Sequence, residues 1–296
     1  MQNNFLVELL VPVSLMIVMF GLGLSLSPKD FTRLTKYPKA VALGSIGHFI
    51  LLPLIGIGCI YAFSLKPEFA VGIILLVSCG GGVVSNALTL IAKGDTALSI
   101  TLTSISLPAS IISIPLLTNC AILYYMGTTQ NFSLPVIDTF VRLVVSLWLP
   151  IALGMVVKHF YPKYAEAMDR PARIFSMIFI LVLMISIIIV ERDRIVWALI
   201  ELGPATFTLN AAAILIGLIG SRLIRLDYRQ SVTIGVELGI QNSATALFVS
   251  LSILSSPTIA IPAAVYSLIA FINVAILILI LNSGIFRSAQ TAGEVR

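Results

Sequence analysis

Gly235-Val236-Glu237-Leu238-Gly239-Ile240-Gln241-Asn242-Ser243 sets a carboxylate, two carboxamides and two glycines inside an otherwise apolar segment running from about 230 to 254. At a rise of about 1.5 Å per residue, Glu237 falls roughly halfway across the hydrocarbon of a bilayer. A charge at that depth costs about 2.5–3.5 kcal/mol on insertion scales, which makes it a functional-site candidate by default. Gly235 and Gly239 lower helix propensity on either side of it. That fits a helix whose backbone carbonyls leave the ladder to line a polar cavity. The competing reading is a helix packed through small residues, with Glu237 merely hydrogen-bonded to a neighbour. Packing alone does not call for Glu, Gln and Asn in one short stretch.

The surroundings of this stretch place it in a membrane. Hydrophobic residues make up 58% of the 296 and charged residues 10%, with a mean hydropathy of +1.07, which excludes a water-soluble core of this length. The net charge of +5 does not point to nucleic acid, because the basic residues sit in short breaks between apolar runs rather than on one face or in a tail. Cys59, Cys79 and Cys120 fall in apolar segments without metal-ligand spacing and read as packing residues. Met1-Gln2-Asn3-Asn4 leads into the first apolar run with no basic region and no small-residue cleavage site, so a first spanning helix is expected there rather than a signal peptide.

Apolar runs long enough to span lie near 6-26, 39-64, 69-93, 97-126, 134-158, 171-190, 204-222, 229-254 and 257-283, which predicts nine helices. Fourteen basic residues, among them Lys36, Lys39, Lys158, Lys163 and Arg225, follow the odd-numbered spans, against Lys66, Arg192 and Arg194 on the other side. The positive-inside rule then puts the N-terminus outside and the C-terminus in the cytoplasm. Arg142 has Asp138 one turn before it and reads as a snorkelled ion pair.

The third span repeats the logic of the eighth. Cys79-Gly80-Gly81-Gly82-Val83-Val84-Ser85-Asn86 puts three consecutive glycines at its middle, where a helix should break. No Walker lysine follows, so a phosphate loop does not fit. Two interrupted spans of opposite direction, five spans apart, are the expectation for an inverted-repeat transporter. In the fourth span, Ser99, Thr103, Ser106, Ser110 and Ser113 recur at steps of four, three, four and three, drawing one polar stripe down a helix face. The hydroxyls can face the broken helices or bond back to their own helix carbonyls. Pro108 and Pro115 should bend that helix.

Glu237, Gln241, Asn86, Ser85, Ser99 and Thr103 supply oxygen-bearing side chains, and hard cations prefer oxygen. One carboxylate suits a monovalent ion better than a divalent pair. Enzymatic readings lack parts: the histidines are His48 and His159, and no nucleophile has a base at motif spacing.

Met19 to Phe31, the Gly-Gly-x-x-Ser-Asn of 81–86 and Glu237-Leu238-Gly239-Ile240-Gln241-Asn242-Ser243 together resemble the bile acid:sodium symporter family, and the likeness covers nearly the whole chain. The resemblance implies an all-α polytopic membrane protein of panel and core domains with two broken, crossing helices. Family members of bacteria often have ten helices in two inverted repeats. This chain then looks like a nine-helix form lacking the first: a first repeat of four helices in 1-126, a second of five in 134-283, and a cytoplasmic tail, 284-296. The resemblance further implies one sodium at Ser85, Asn86, Ser99, Thr103 and Glu237. A second would use the Glu237 and Gln241 side chains, carbonyls near Leu238 and Ile240, and a glutamine at the position held here by His48. Protonated, His48 would satisfy Glu237 and repel a second cation; turned away, it would leave a water in its place. Gly82, Val83 and Asn242 would border the substrate, with valine where the family often has threonine.

The expected function is therefore sodium-coupled symport of a small organic anion, a bile acid or a small carboxylate, by alternating access in a bacterial inner membrane. The alternative is the same architecture driven by protons or working as an efflux carrier, with Glu237 titrating. A non-transporting membrane receptor is a third reading.

Overall fold

The computed structural model describes residues 11–27, 35–127, 135–190 and 192–282, and every regular element among them is helical. The first elements are α1 (Val11–Ser25) and α2 (Pro38–Ala62). An interrupted helix of two halves follows, α3 (Pro67–Val77) and α4 (Val83–Ile91), and then α5 (Thr96–Met126) and α6 (Val136–Phe160). Next come α7 (Pro162–Val190) and α8 (Arg192–Leu223), then a second interrupted helix of α9 (Tyr228–Gly239) and α10 (Ser243–Phe248), and finally α11 (Pro257–Asn282).

Six helices among the described residues are long and apolar enough to cross a membrane: α2, α5, α6, Trp197–Leu223, Tyr228–Ile253 taken through its break, and Pro257–Leu281. α1 and α3 are shorter apolar helices. The apolar spans expected at 171-190 and 204-222 lie within longer helices, because α7 starts at Pro162 and α8 at Arg192. Pro162 suits a first helical position, and Lys163, Glu166 and Met168 are good helix formers, so the polar stretch is helical rather than a loop. Hydropathy marks where a helix is apolar, not where it ends. Asn3, Lys29, Arg33, Arg287 and the 284–296 tail lie outside the described residues.

Two prolines shape α2 and α6. Pro53 and Pro150 have no N–H to give. The turn before each is widened to π geometry, with Leu52 N bonding Gly47 O and Leu149 N bonding Val144 O. α5, by contrast, is continuous through Pro108 and Pro115.

α1, α6 and α7 pack chiefly on one another, while α8 packs on α2, α9 and α11, and α3 on α2, α5 and α11. α9 and α10 form the axis of the second group: their apolar window is 100% buried, against 39% for that of α11. A helix enclosed on all sides has no lipid face on which to place a polar residue, so its polar groups must find partners inside. α3 packs on α10 and α4 on α9, so each half meets the opposite half of the other helix. At the meeting point Asn242 N donates to Gly80 O at 2.8 Å. Beyond α4, Asp95 N donates to Thr233 Oγ1 at 2.7 Å near the start of α9, so the two interrupted helices run in opposite directions and cross at their breaks.

Candidate cation site

The first break is built from the backbone outwards. Gly80 has φ of 67°, a left-handed conformation that β-carbons disfavour. Gly81 lies between Glu237 and Ser85, and a methyl group there would run into Glu237 Oε1. The α5 stripe supports the unwound segment: Ser106 Oγ accepts from Gly81 N at 3.2 Å, and Ser113 Oγ donates to Ser78 O at 2.8 Å. Ser110 instead bonds back to Leu107 O at 2.6 Å, so the stripe divides between the two roles open to it. Ser85 Oγ donates to Gly82 O at 2.7 Å and closes the first turn of α4.

The second break has no left-handed residue. α9 runs through Gly235, which packs against Gly217 of α8, and ends at Gly239; Ile240 is extended at φ −108°, ψ 105°. Gln241 Nε2 donates to Leu238 O at 2.8 Å, and Asn242 Oδ1 accepts from Thr245 N at 3.2 Å, capping α10.

Where the helices cross, Glu237 is fully buried and its carboxylate faces α5. Thr103 Oγ1 lies 2.9 Å from Glu237 Oε1 and 3.2 Å from Asn86 Oδ1. Ser99 Oγ lies 2.9 Å from Glu237 Oε2 and 2.7 Å from Asn86 Oδ1. Each hydroxyl has one proton, so two protons serve three acceptor oxygens. Ser85 flanks the carboxylate at Gly81, its own proton being given to Gly82 O. The ion pairs Lys66–Glu201 and Arg142–Asp138 lie elsewhere, so the partners seen at Glu237 are hydroxyls rather than a basic group. A cluster of oxygen ligands with surplus lone pairs and a buried carboxylate, reached from one side by half-buried Asn86, suits a hard monovalent cation.

Asn86, Ser99, Thr103 and Glu237 thus meet in one cluster, with Ser85 at its edge. His48 does not join it. It is buried on the widened turn of α2, beside Gly47, whose backbone packs against the Leu238 side chain, and neither ring nitrogen has a partner. Gln241 Oε1 and Asn242 Nδ2 are likewise buried and unpartnered. The Val83 side chain lies outside the described set. Cys59 and Cys79 are buried, whereas Cys120 is exposed on the outer face of α5 and packs no core.

Three residues enter that the sequence did not single out. Asn210 Nδ2 and Tyr266 Oη donate to Gly239 O at 2.6 and 2.9 Å, and Asn273 Nδ2 donates to Asn210 Oδ1 at 2.9 Å. Isolated polar residues in α8 and α11 carry no motif; the signal available was only that Asn in an apolar span needs a partner.

Residues 12–198 match the sequence profile of the Sodium Bile acid symporter family. The chain belongs to that family. The matched residues include Asn86, Ser99 and Thr103, while Glu237 lies beyond them. The chain is also 29% identical over 263 residues to the "Uncharacterized sodium-dependent transporter YocS" of Bacillus subtilis (strain 168), an overlap covering 87% of this chain and 78% of the relative. Family membership and the apolar helices make this an integral membrane protein.

Two clefts of this symporter-family member touch the crossing. One, narrow, is lined by Met19, Gly82, Gln241, Asn242, Tyr266 and Phe271. The other, roomier, lies between the α1–α6–α7 group and α4–α5; Asn86 and Ile100 line it together with Ser25, Lys158 and Glu166. Lys158 Nζ donates to Ser25 O at 2.5 Å, where the carbonyls at the end of α1 favour a cation.

Proposed function

We propose that the protein is a sodium-coupled secondary transporter of a small organic anion, working by alternating access around the two crossing helices. The observation that carries this is the oxygen cluster of buried Ser99, Thr103 and Glu237 with half-buried Asn86, whose carboxylate and amide oxygens outnumber the hydroxyl protons offered to them. Family membership and a relative named for sodium dependence support the choice of ion. Glu237 and its neighbours hold the sodium, Ser85 shapes the edge of the site, and the cleft at Gly82, Val83 and Asn242 receives the anion. A second sodium would use Gln241 with the carbonyls of Leu238 and Ile240, and His48 weakens that site, since imidazole nitrogen is a poorer ligand for a hard cation than a carboxamide oxygen.

The architecture proposed is nine spans in an inverted repeat, 1-126 and 134-283, with the N-terminus outside a bacterial inner membrane and the 284-296 tail in the cytoplasm. The opposite directions of the two broken helices and their crossing at Gly80 and Asn242 support the inversion. The self-contained packing of α1, α6 and α7 supports a panel beside a core.

The test is uptake into proteoliposomes under an imposed sodium gradient. Glu237→Gln keeps the side-chain shape and removes the charge, and is expected to abolish sodium-stimulated uptake. Near-native stimulation in that variant, or wild-type uptake driven by a pH gradient without sodium, would overturn the reading in favour of another cation site or of proton coupling.

A further inference from the structure

We propose that Asn210 and Tyr266, held by Asn273, are positioning residues for the cation site: they clamp the Gly239 carbonyl at the end of α9 and so fix the rotation at which Glu237 is presented. This rests on the reading of Glu237 as the sodium ligand.

The need for the clamp follows from the break. When α9 stops, the Gly239 carbonyl loses the amide four residues on, because Ser243 N bonds Gln241 O at 2.8 Å instead. An orphaned carbonyl enclosed in an apolar bundle requires a partner. It receives two, from different helices: Asn210 Nδ2 of α8 at 2.6 Å and Tyr266 Oη of α11 at 2.9 Å. The Asn210 amide also lies 3.1 Å from Tyr266 Oη. Asn273 donates to Asn210 Oδ1, which fixes which end of that amide faces Gly239. Asn210 and Tyr266 are buried, at 0% and 1% exposure, so water does not substitute for either.

No backbone restriction enforces this break, and the local side chains Gln241 and Asn242 bond Leu238 O and Thr245 N but leave the Gly239 carbonyl to others. Between Gly239 and Ser243 there is no proline and no left-handed residue, so helix continuation is sterically open. A helix turns by about 100° per residue, and a slip of one residue at Gly239 would carry Glu237 away from Ser99 and Thr103. Tyr266 also lines the smaller cleft beside Gln241 and Asn242, so the same side chain borders that cleft and holds the end of the carboxylate-bearing helix.

Equilibrium binding of radioactive sodium to purified protein in lipid nanodiscs, with potassium as the replacing ion, tests the clamp. Tyr266→Phe keeps the ring and removes the donor. Asn273→Ala frees the Asn210 amide without touching Gly239. Loss of one net hydrogen bond corresponds to roughly a five- to tenfold rise in sodium Kd, expected for Tyr266→Phe, with a smaller rise for Asn273→Ala. Thermal unfolding in potassium alone separates structure from positioning: a merely structural clamp would lower Tm and leave sodium Kd at the wild-type value, which would overturn the proposal. If Tyr266→Phe does not fold, the sodium Kd of Asn273→Ala decides between the same two outcomes. Should Glu237→Gln bind sodium like wild type, the cation assignment falls and the clamp with it. Should Glu237→Gln lose binding while both clamp variants keep the wild-type Kd, the clamp alone falls.

Discussion

The two helix breaks that meet at the crossing do similar geometric work with different chemistry. The first is written in backbone: three glycines, one of them left-handed at Gly80, with hydroxyls of α5 taking up the freed groups. The second is written in side chains: Gln241 and Asn242 from the segment itself, and Asn210 and Tyr266 from two distant helices, around a backbone of ordinary φ. The first break lets a carboxylate approach its main chain, and the second carries that carboxylate. A glycine break is a local property of the chain, while a side-chain break exists only once the other helices are in place.

Substitutions can break or sharpen this contrast. The largest effect is expected at Gly81→Ala, where the added methyl meets Glu237 Oε1 across the crossing. Sodium-stimulated uptake should be lost although the residue is on the other helix, and near-native uptake would show that the breaks do not share one site. Removing the α5 supports one at a time, with Ser106→Ala and Ser113→Ala, should cost about 1 kcal/mol each in thermal unfolding. A glycine-set break should keep sodium affinity in both, unlike the clamp variants at the second break, and a large affinity loss would erase the distinction.

A subtler outcome concerns His48, which is buried with both nitrogens unpartnered beside the second break. The wild-type Hill coefficient for sodium is expected near one, rising in His48→Gln. Uptake measured against sodium at clamped potential checks this, and a wild-type value near two with strong voltage dependence would show that His48 admits a second ion. The smallest effect is expected from Arg142→Ala. Its pairing with Asp138 at 2.8 Å is half-exposed and far from both breaks, so unfolding should shift by less than about 0.5 kcal/mol and transport should not change.

The Arg142–Asp138 pair shows what was readable in advance: an i, i+4 relation is fixed by helix geometry alone. The same holds for Gly80-Gly81-Gly82, and for Ser99 and Thr103, whose spacing puts them on one face. Helix ends were less legible. Arg192 and Arg194 sit inside α8, because polar residues with good propensity continue a helix past its apolar window.

By itself, then, the sequence determined that this is a membrane protein with a buried carboxylate between two interrupted helices, since burial of charge in apolar segments and glycine runs are properties of consecutive residues. Only the tertiary structure decided which oxygens surround Glu237, how the α5 hydroxyls divide between the cluster and the first break, that Cys120 faces outward, and that Asn210, Tyr266 and Asn273 hold the second break. The reason is physical. A lone Asn or Tyr in an apolar helix carries the same local free energy whatever its partner, and the partner is chosen by packing between helices far apart in the chain.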